Sequence, residues 1–291
     1  MILPEFDYVS FTSLGETLDF LSLYGDESRV IAGGTDLLIK LSAGEVKAKY
    51  VVNLMDIAEL GRIDIHDNCI SIGPTATHTE LEYSPSLSKF APVLCRGASV
   101  IGSPQIRNQG TIGGNIGNAS PAADTVPALM VLNCRIKVIS KRGERWVPVA
   151  DFFVSPHETI LTADELIGEI EVEKLPENTL VSFQRVARRR AMDIAQMSVA
   201  VNLFMDEKGD RIREARIAPG SVTPTPVRIS EAEKILEGKR ATEEIIELAA
   251  AEVSERAIDE TDLQWIPEYK KPALKGLVIR AINDALSGRD K

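Results

Sequence analysis

Between Ile101 and Asp124 the chain reads IGSPQIRNQGTIGGNIGNASPAAD. Gly110, Gly113, Gly114 and Gly117 are interleaved with the short polar residues Thr111, Asn115, Asn118 and Ser120. Glycine lacks the Cβ that keeps a backbone amide away from a ligand, and it tolerates positive φ. Such a run can lay N–H groups against a phosphate or a flat polar ring. A pair of ordinary turns explains any single Gly-Gly equally well; the density of glycine and small polar residues here points to a binding loop. A second element lies upstream, where Arg29-Val30-Ile31-Ala32 reads as a short buried strand feeding Gly33-Gly34-Thr35-Asp36 and then Leu37-Leu38-Ile39. Two cradles in one chain suit a long ligand, such as a dinucleotide with its pyrophosphate and two ends.

The kind of cradle can be narrowed. Neither G-x-x-x-x-G-K-[ST] nor G-x-G-x-x-G occurs at these glycines. Neither run is followed by a clear amphipathic helix whose N-terminus would take a phosphate. The expectation is a phosphate held by loop amides, outside P-loop and Rossmann chemistry.

Around these loops the chain must supply rigid mounts. Ser13-Leu14-Gly15-Glu16 reads as a capping box opening a helix to about Tyr24, stopped by Gly25. With the strand at 30–32 and an apolar stretch at 50–54 it makes a small α/β subdomain over about 1–55. Residues 63–65 and 69–72 alternate around Asp67-Asn68 as a hairpin. Helical segments start at Thr77-His78-Thr79-Glu80, and a second hairpin joins 135–140 to 145–149 through Arg142-Gly143. Pro176-Glu177-Asn178-Thr179 looks like a boundary. Beyond it, antiparallel strands are expected at 181–186, 197–205 and 212–218. Helices are expected at about 230–236, 242–258 and 272–286. Strands followed by helices imply an α+β unit. Residues 260–267 read as the longest connector, with Trp265 packed.

Composition excludes several classes. The 291 residues suffice for two or three domains, and a net charge of −10 disfavours nucleic-acid binding. Arg188-Arg189-Arg190 is the basic run of note, a solvated edge or a partner contact. No apolar run approaches the ~18–20 residues of a membrane span. Without a signal-like N-terminus, the chain reads as cytoplasmic. Cys69, Cys95 and Cys134 read as reduced, mostly buried thiols. His66, His78 and His157 are scattered, so no metal site is expected and each reads as a surface or structural histidine.

The runs Ala32-Gly33-Gly34-Thr35-Asp36-Leu37-Leu38 and Thr111-Ile112-Gly113-Gly114-Asn115-Ile116-Gly117-Asn118-Ala119-Ser120-Pro121-Ala122-Ala123-Asp124 resemble the two FAD loops of the flavin subunit of molybdenum hydroxylases. That family includes the medium chain of aerobic carbon monoxide dehydrogenase and the flavin part of xanthine dehydrogenase. A third match, Phe183 to Ala195, is similar to the family's F-x-K-x-x-R-R-x-x-x-D-I-A, with Arg185 where the lysine near the flavin stands. The resemblance spans nearly the whole chain.

It implies an α+β fold. A two-subdomain FAD-binding domain of the PCMH/vanillyl-alcohol-oxidase type would cover 1–175, divided at about 55. A smaller α+β domain like the carbon monoxide dehydrogenase flavoprotein C-terminal domain would cover 176–291. It implies FAD as cofactor. Ala32, Gly33, Gly34, Thr35, Asp36 and Leu37 would hold one side of the pyrophosphate, with Asp36 alternatively a turn residue. Thr111, Gly114, Asn115, Asn118 and Ala119 would form the other grip toward the flavin end. Asp124 would meet the adenosine side, or else cap the helix that follows. Arg185 would lie near the flavin. Some members carry an inserted iron–sulfur loop, but three cysteines cannot hold a four-cysteine cluster, so flavin alone is expected. The implied partners are a large molybdopterin-binding subunit and a small [2Fe–2S] subunit, with NAD, a quinone or ferredoxin as external acceptor. No catalytic residue of this chain is expected to touch the organic substrate. Two other readings stay open: a stand-alone FAD-dependent reductase similar to the enolpyruvyl-UDP-sugar reductase, and a scaffold without cofactor.

Overall fold

The computed structural model describes residues 3–189, 192–259 and 267–288. Arg190 and Ala191 lie outside the described residues, as does the connector expected at 260–267, Trp265 included, except for Pro267.

The first region contains β1 (Asp7–Ser10), α1 (Leu14–Tyr24), β2 (Ser28–Ile31), α2 (Leu37–Ser42) and β3 (Tyr50–Asn53). Its three strands are parallel, with β3 in the centre, Val52 pairing with Val9 on one side and Val30 on the other. Ser13 caps α1 by accepting from Glu16 N. Gly25 ends it in a right-handed conformation, φ −54°. This glycine serves close approach rather than a left-handed cap: a Cβ there would lie 2.7 Å from Ala163 O.

The second region runs through β4 (Ile63–Ile65), β5 (Cys69–Ile72), α3 (His78–Tyr83), α4 (Pro85–Phe90), α5 (Pro92–Ser99) and α6 (Pro104–Arg107). It continues with α7 (Ile112–Asn118), α8 (Thr125–Val131), β6 (Arg135–Ser140), β7 (Gly143–Pro148), β8 (Phe153–Ser155), β9 (Glu158–Thr159) and β10 (Leu166–Glu173). Its main sheet is antiparallel in the order β4-β5-β10-β6-β7. The central strand, β10, is absent from the elements expected above. The register shifts between Ile167 and Glu169, so Gly168 splits its alternation into two short halves.

The third region is an antiparallel sheet of β11 (Thr179–Val186), β12 (Met197–Met205) and β13 (Ile212–Gly220), followed by α9 (Ser230–Leu236), α10 (Glu243–Asp259) and α11 (Pro267–Ser287). α11 runs through Pro272, expected above near its start. Pro272 lies inside the helix, where it lacks the N–H that would bond the carbonyl four residues earlier. Every residue of β12 is buried. Val199, Val201 and Leu203 join the core under the three C-terminal helices, while Ala200 and Phe204 join the core that contains α8. The strand's period of two thus serves two cores at once.

A third cluster fastens the first region to the second. Leu21, Val52 and Leu54 pack with Ile139 of β6 and Leu166 of β10. Each buried leucine contributes about 2 kcal/mol, and the seam fixes the two glycine elements opposite each other. Among the described residues no helix is long and apolar enough to cross a membrane.

Candidate functional site

The first glycine element leaves the end of β2 and enters α2. Gly34 has φ +70°, the left-handed region that glycine occupies without strain. Gly33 is demanded by contact: a Cβ would fall 1.7 Å from Gln109 O. The backbone of the first element therefore lies flat on that of the second. Asp36 stands at the N-cap position of α2, but its side chain makes no capping hydrogen bond.

The second element corrects the expectation of two loops without helices. Its glycine run is itself a helix, α7, and the first element leads directly into α2. Thr111 caps α7, its hydroxyl accepting from Gly114 N at 3.1 Å. Thr111 also bridges to Thr77, and Gly113 N donates to Pro74 O at 2.8 Å. Gly113 packs on Pro74, where a Cβ would meet Pro74 Cβ at 2.5 Å. A Cβ on Gly117 would meet nothing within 4 Å outside the helix's own backbone. Asn115 accepts from Thr125 Oγ1 at 2.5 Å, and Asn118 Oδ1 accepts from Lys40 Nζ at 2.6 Å, tying α2 to α7. Ala119 ends α7 in the left-handed region, φ 48°.

These elements enclose a cavity of about 1010 Å³ whose wall draws on all three regions. Ala32, Gly33, Gly34, Thr35, Asp36 and Leu37 line it, as do Thr111, Gly114, Asn115, Asn118, Asp124 and Arg185. Ala119 is the exception: it is buried and stands outside the wall, its carbonyl accepting from His157 N at 2.8 Å.

Asp124 occupies the N-cap position of α8 but has right-handed backbone angles and no capping hydrogen bond. Its carboxylate is 5% exposed, and Oδ1 has no hydrogen-bond partner. Oδ2 lies 3.3 Å from Arg185 Nε, an ion pair whose geometry does not make a hydrogen bond, so Nε too is left without one. The rest of the guanidinium is held by backbone: Nη1 donates to Val100 O at 2.7 Å and Nη2 to Asp193 O. Burial raises the Asp124 carboxyl to about 7, with Arg185 pulling in the opposite direction. The expectation put Asp124 at the adenosine end and Arg185 at the flavin end; the structure puts the two side chains together.

Some of the wall is unforeseen in the sequence. His78 and His157, read above as surface or structural, both line the cavity. So do Gly117, Lys40 and the 161–167 stretch that leads into β10. The signal for Gly117 was available, since it belongs to the same run as Gly114. For the others, contact with the cavity arises only from long-range packing.

Residues 4–174 match the family described as the FAD binding domain in molybdopterin dehydrogenase, and residues 182–285 that of the CO dehydrogenase flavoprotein C-terminal domain. The chain is 33% identical over 281 residues to the glyceraldehyde dehydrogenase medium chain of Sulfolobus acidocaldarius, covering 97% of this chain and 98% of that one. It is 31% identical over 286 residues to the nicotine 6-hydroxylase medium subunit of Paenarthrobacter nicotinovorans, covering 98% and 99%. Among solved structures it resembles a chain of carbon monoxide dehydrogenase from Hydrogenophaga pseudoflava, with a TM-score of 0.92, 29% identity and 99% of both chains covered. For quinoline 2-oxidoreductase from Pseudomonas putida 86 the TM-score is 0.90, at 28% identity and the same coverage.

Proposed function

The chain belongs to the FAD-binding medium subunits of the xanthine dehydrogenase and carbon monoxide dehydrogenase family, and from that premise we propose that it is the electron-transfer subunit of a multi-subunit molybdenum hydroxylase. In this reading a large molybdopterin-binding subunit oxidises the organic substrate, and a small [2Fe–2S] subunit stands between it and this chain. NAD, a quinone or ferredoxin is the external acceptor.

The observation that carries the reading is the chemistry of the cavity wall, which fits FAD. Gly117 presents a Cβ-free surface to it, and Asp124 keeps an unpartnered carboxylate oxygen beside an unpartnered Arg185 Nε. A buried polar atom without a partner calls for a ligand or water to complete it. Ala32, Gly33, Gly34 and Thr35 would hold one side of the pyrophosphate, with Thr111, Gly114, Asn115 and Asn118 opposite. Asp124 Oδ1 would accept from a donor on the cofactor, and Arg185 Nε would donate next to it. Bound FAD supplies a centre that exchanges electrons singly or in pairs. The residues of this chain bind and orient it and keep water from its polar contacts; none is given a proton to move on the organic substrate.

The test uses the purified chain with and without partners. Alone, it is expected to carry FAD that acid or heat releases, since no histidine or cysteine lies within either glycine element. It is expected to leave an aldehyde, a purine, carbon monoxide or an N-heterocycle unoxidised. Addition of molybdopterin-bearing and [2Fe–2S] subunits is expected to restore turnover. Substrate-dependent flavin reduction by the single chain would overturn the reading and favour the stand-alone reductase.

A further inference from the structure

His78 stands in the cavity wall at the start of α3, where the two glycine elements meet. Its backbone N–H donates to Gly110 O at 2.9 Å, and the preceding Thr77 bridges to Thr111. A Cβ on Gly110 would meet His78 Cδ2 at 3.2 Å and Thr35 Oγ1 at 3.4 Å, so the ring sits against both elements. The residue is 3% exposed, and Nδ1 has no hydrogen-bond partner. Burial, and secondarily the Arg107 guanidinium, lower the imidazole to about 4, so it is neutral at pH 7 and one nitrogen carries a proton to donate. A buried, unpaired ring nitrogen is costly to a fold, and a hydrocarbon of similar size would be cheaper.

We propose that His78 is a cofactor-binding residue, its Nδ1–H donating to a phosphate oxygen of FAD between the Gly33-Gly34-Thr35 and Gly110-Thr111 elements. The inference rests on the cavity being the FAD site. Its position explains why a polar ring is held where the fold makes no use of Nδ1.

The full-length apoprotein would be titrated with FAD by fluorescence quenching, and its thermal unfolding followed without cofactor. His78→Leu removes the donor; His78→Asn keeps an amide N–H near the position of Nδ1. His78→Leu is expected to weaken FAD binding roughly tenfold, the scale of one hydrogen bond to a charged acceptor. His78→Asn is expected to stay within about threefold of wild type, at most about half of that free energy. The His78→Leu apoprotein should melt at or above the wild-type temperature. In the wild type, FAD should shift the ring ¹⁵N resonance of His78. Wild-type affinity in His78→Leu, or an unmoved His78 resonance on FAD binding, would overturn the role of His78 alone. Failure of the wild-type apoprotein to take up FAD would overturn the reading of the cavity as well.

Discussion

At the scale of the residue, Asp124 and His78 are moved by the same cause toward neutrality, with opposite consequences for stability. Burial raises Asp124 from 3.8 to about 7, so between those values the native chain holds a proton that the unfolded chain has lost. That contribution to stability is present at low pH and disappears as pH rises through 7. Burial lowers His78 from 6.5 to about 4, so there the unfolded chain holds the extra proton and stability falls as pH drops. Each effect is worth at most about 1.4 kcal/mol per pH unit. They oppose each other between pH 4 and 6.5. Asp124→Asn removes only the first. The melting temperature of the variant apoprotein, minus that of the wild type, is expected to climb as pH is raised from 4 to 7.5. A difference independent of pH would mean that Arg185 holds the carboxylate ionised throughout. The same variant is expected to weaken FAD binding above pH 7, where the wild-type carboxyl is ionised and the amide offers only a neutral oxygen.

At the scale of the element, α7 is a helix that could not stand alone. Three of its seven residues are glycine, each costing about 1 kcal/mol against alanine, and a helix so short is marginal without tertiary support. The Thr111 cap and the contact of Gly113 with Pro74 hold it. Its glycines therefore divide by what surrounds them. Gly113→Ala is expected to lower the melting temperature of the apoprotein, since overpacking of this kind costs about 1–3 kcal/mol. Gly117→Ala meets no atom, and alanine favours a helix, so apoprotein stability is expected to hold or rise by up to about 1 kcal/mol. Its methyl group projects into the cavity wall, so Gly117→Ala, and Gly117→Val more strongly, are expected to weaken FAD binding. Unchanged affinity in Gly117→Val, measured by the same fluorescence titration, would remove α7 from the cofactor contact. Gly33→Ala has no such freedom, because its Cβ would collide with the Gln109 carbonyl; loss of folded protein is expected there.

At the scale of the whole molecule, the cavity is a product of how three sheets are placed. The seam of Leu21, Val52, Leu54, Ile139 and Leu166 holds the first region against the second, and β11 brings Arg185 in from the third. A ligand shared in this way stabilises all three. At FAD concentrations of about 100 times the dissociation constant, the native state gains about 2.7 kcal/mol by mass action. Hydrogen exchange is expected to slow together at 32–37, along α7, at 185–189 and at 192–195 when FAD is added. Protection confined to one of these segments would contradict a cavity shared by the three regions.

The sequence by itself determined the parts whose chemistry is local. Gly33-Gly34-Thr35-Asp36 and the run from Thr111 to Asn118 announce close backbone approach through residue type alone, and they carry the family resemblance. The strands β11, β12 and β13 and the two hairpins are legible because short apolar runs and the turn residues between them act over a few positions. The tertiary structure decided what depends on distant neighbours. Glycine density reads as loop, yet α7 is helical because Pro74 and Thr77 support it from another segment. Gly33 and Gly113 look like ligand-facing glycines, yet the Cβ each lacks would strike Gln109 and Pro74. Asp124 could be a helix cap or a ligand contact on sequence grounds. Only the arrival of Arg185 from β11 leaves it buried, uncapped and one bond short. His78 gives no sign of its place, because the desolvation that empties its hydrogen-bonding capacity comes from residues brought together only by folding.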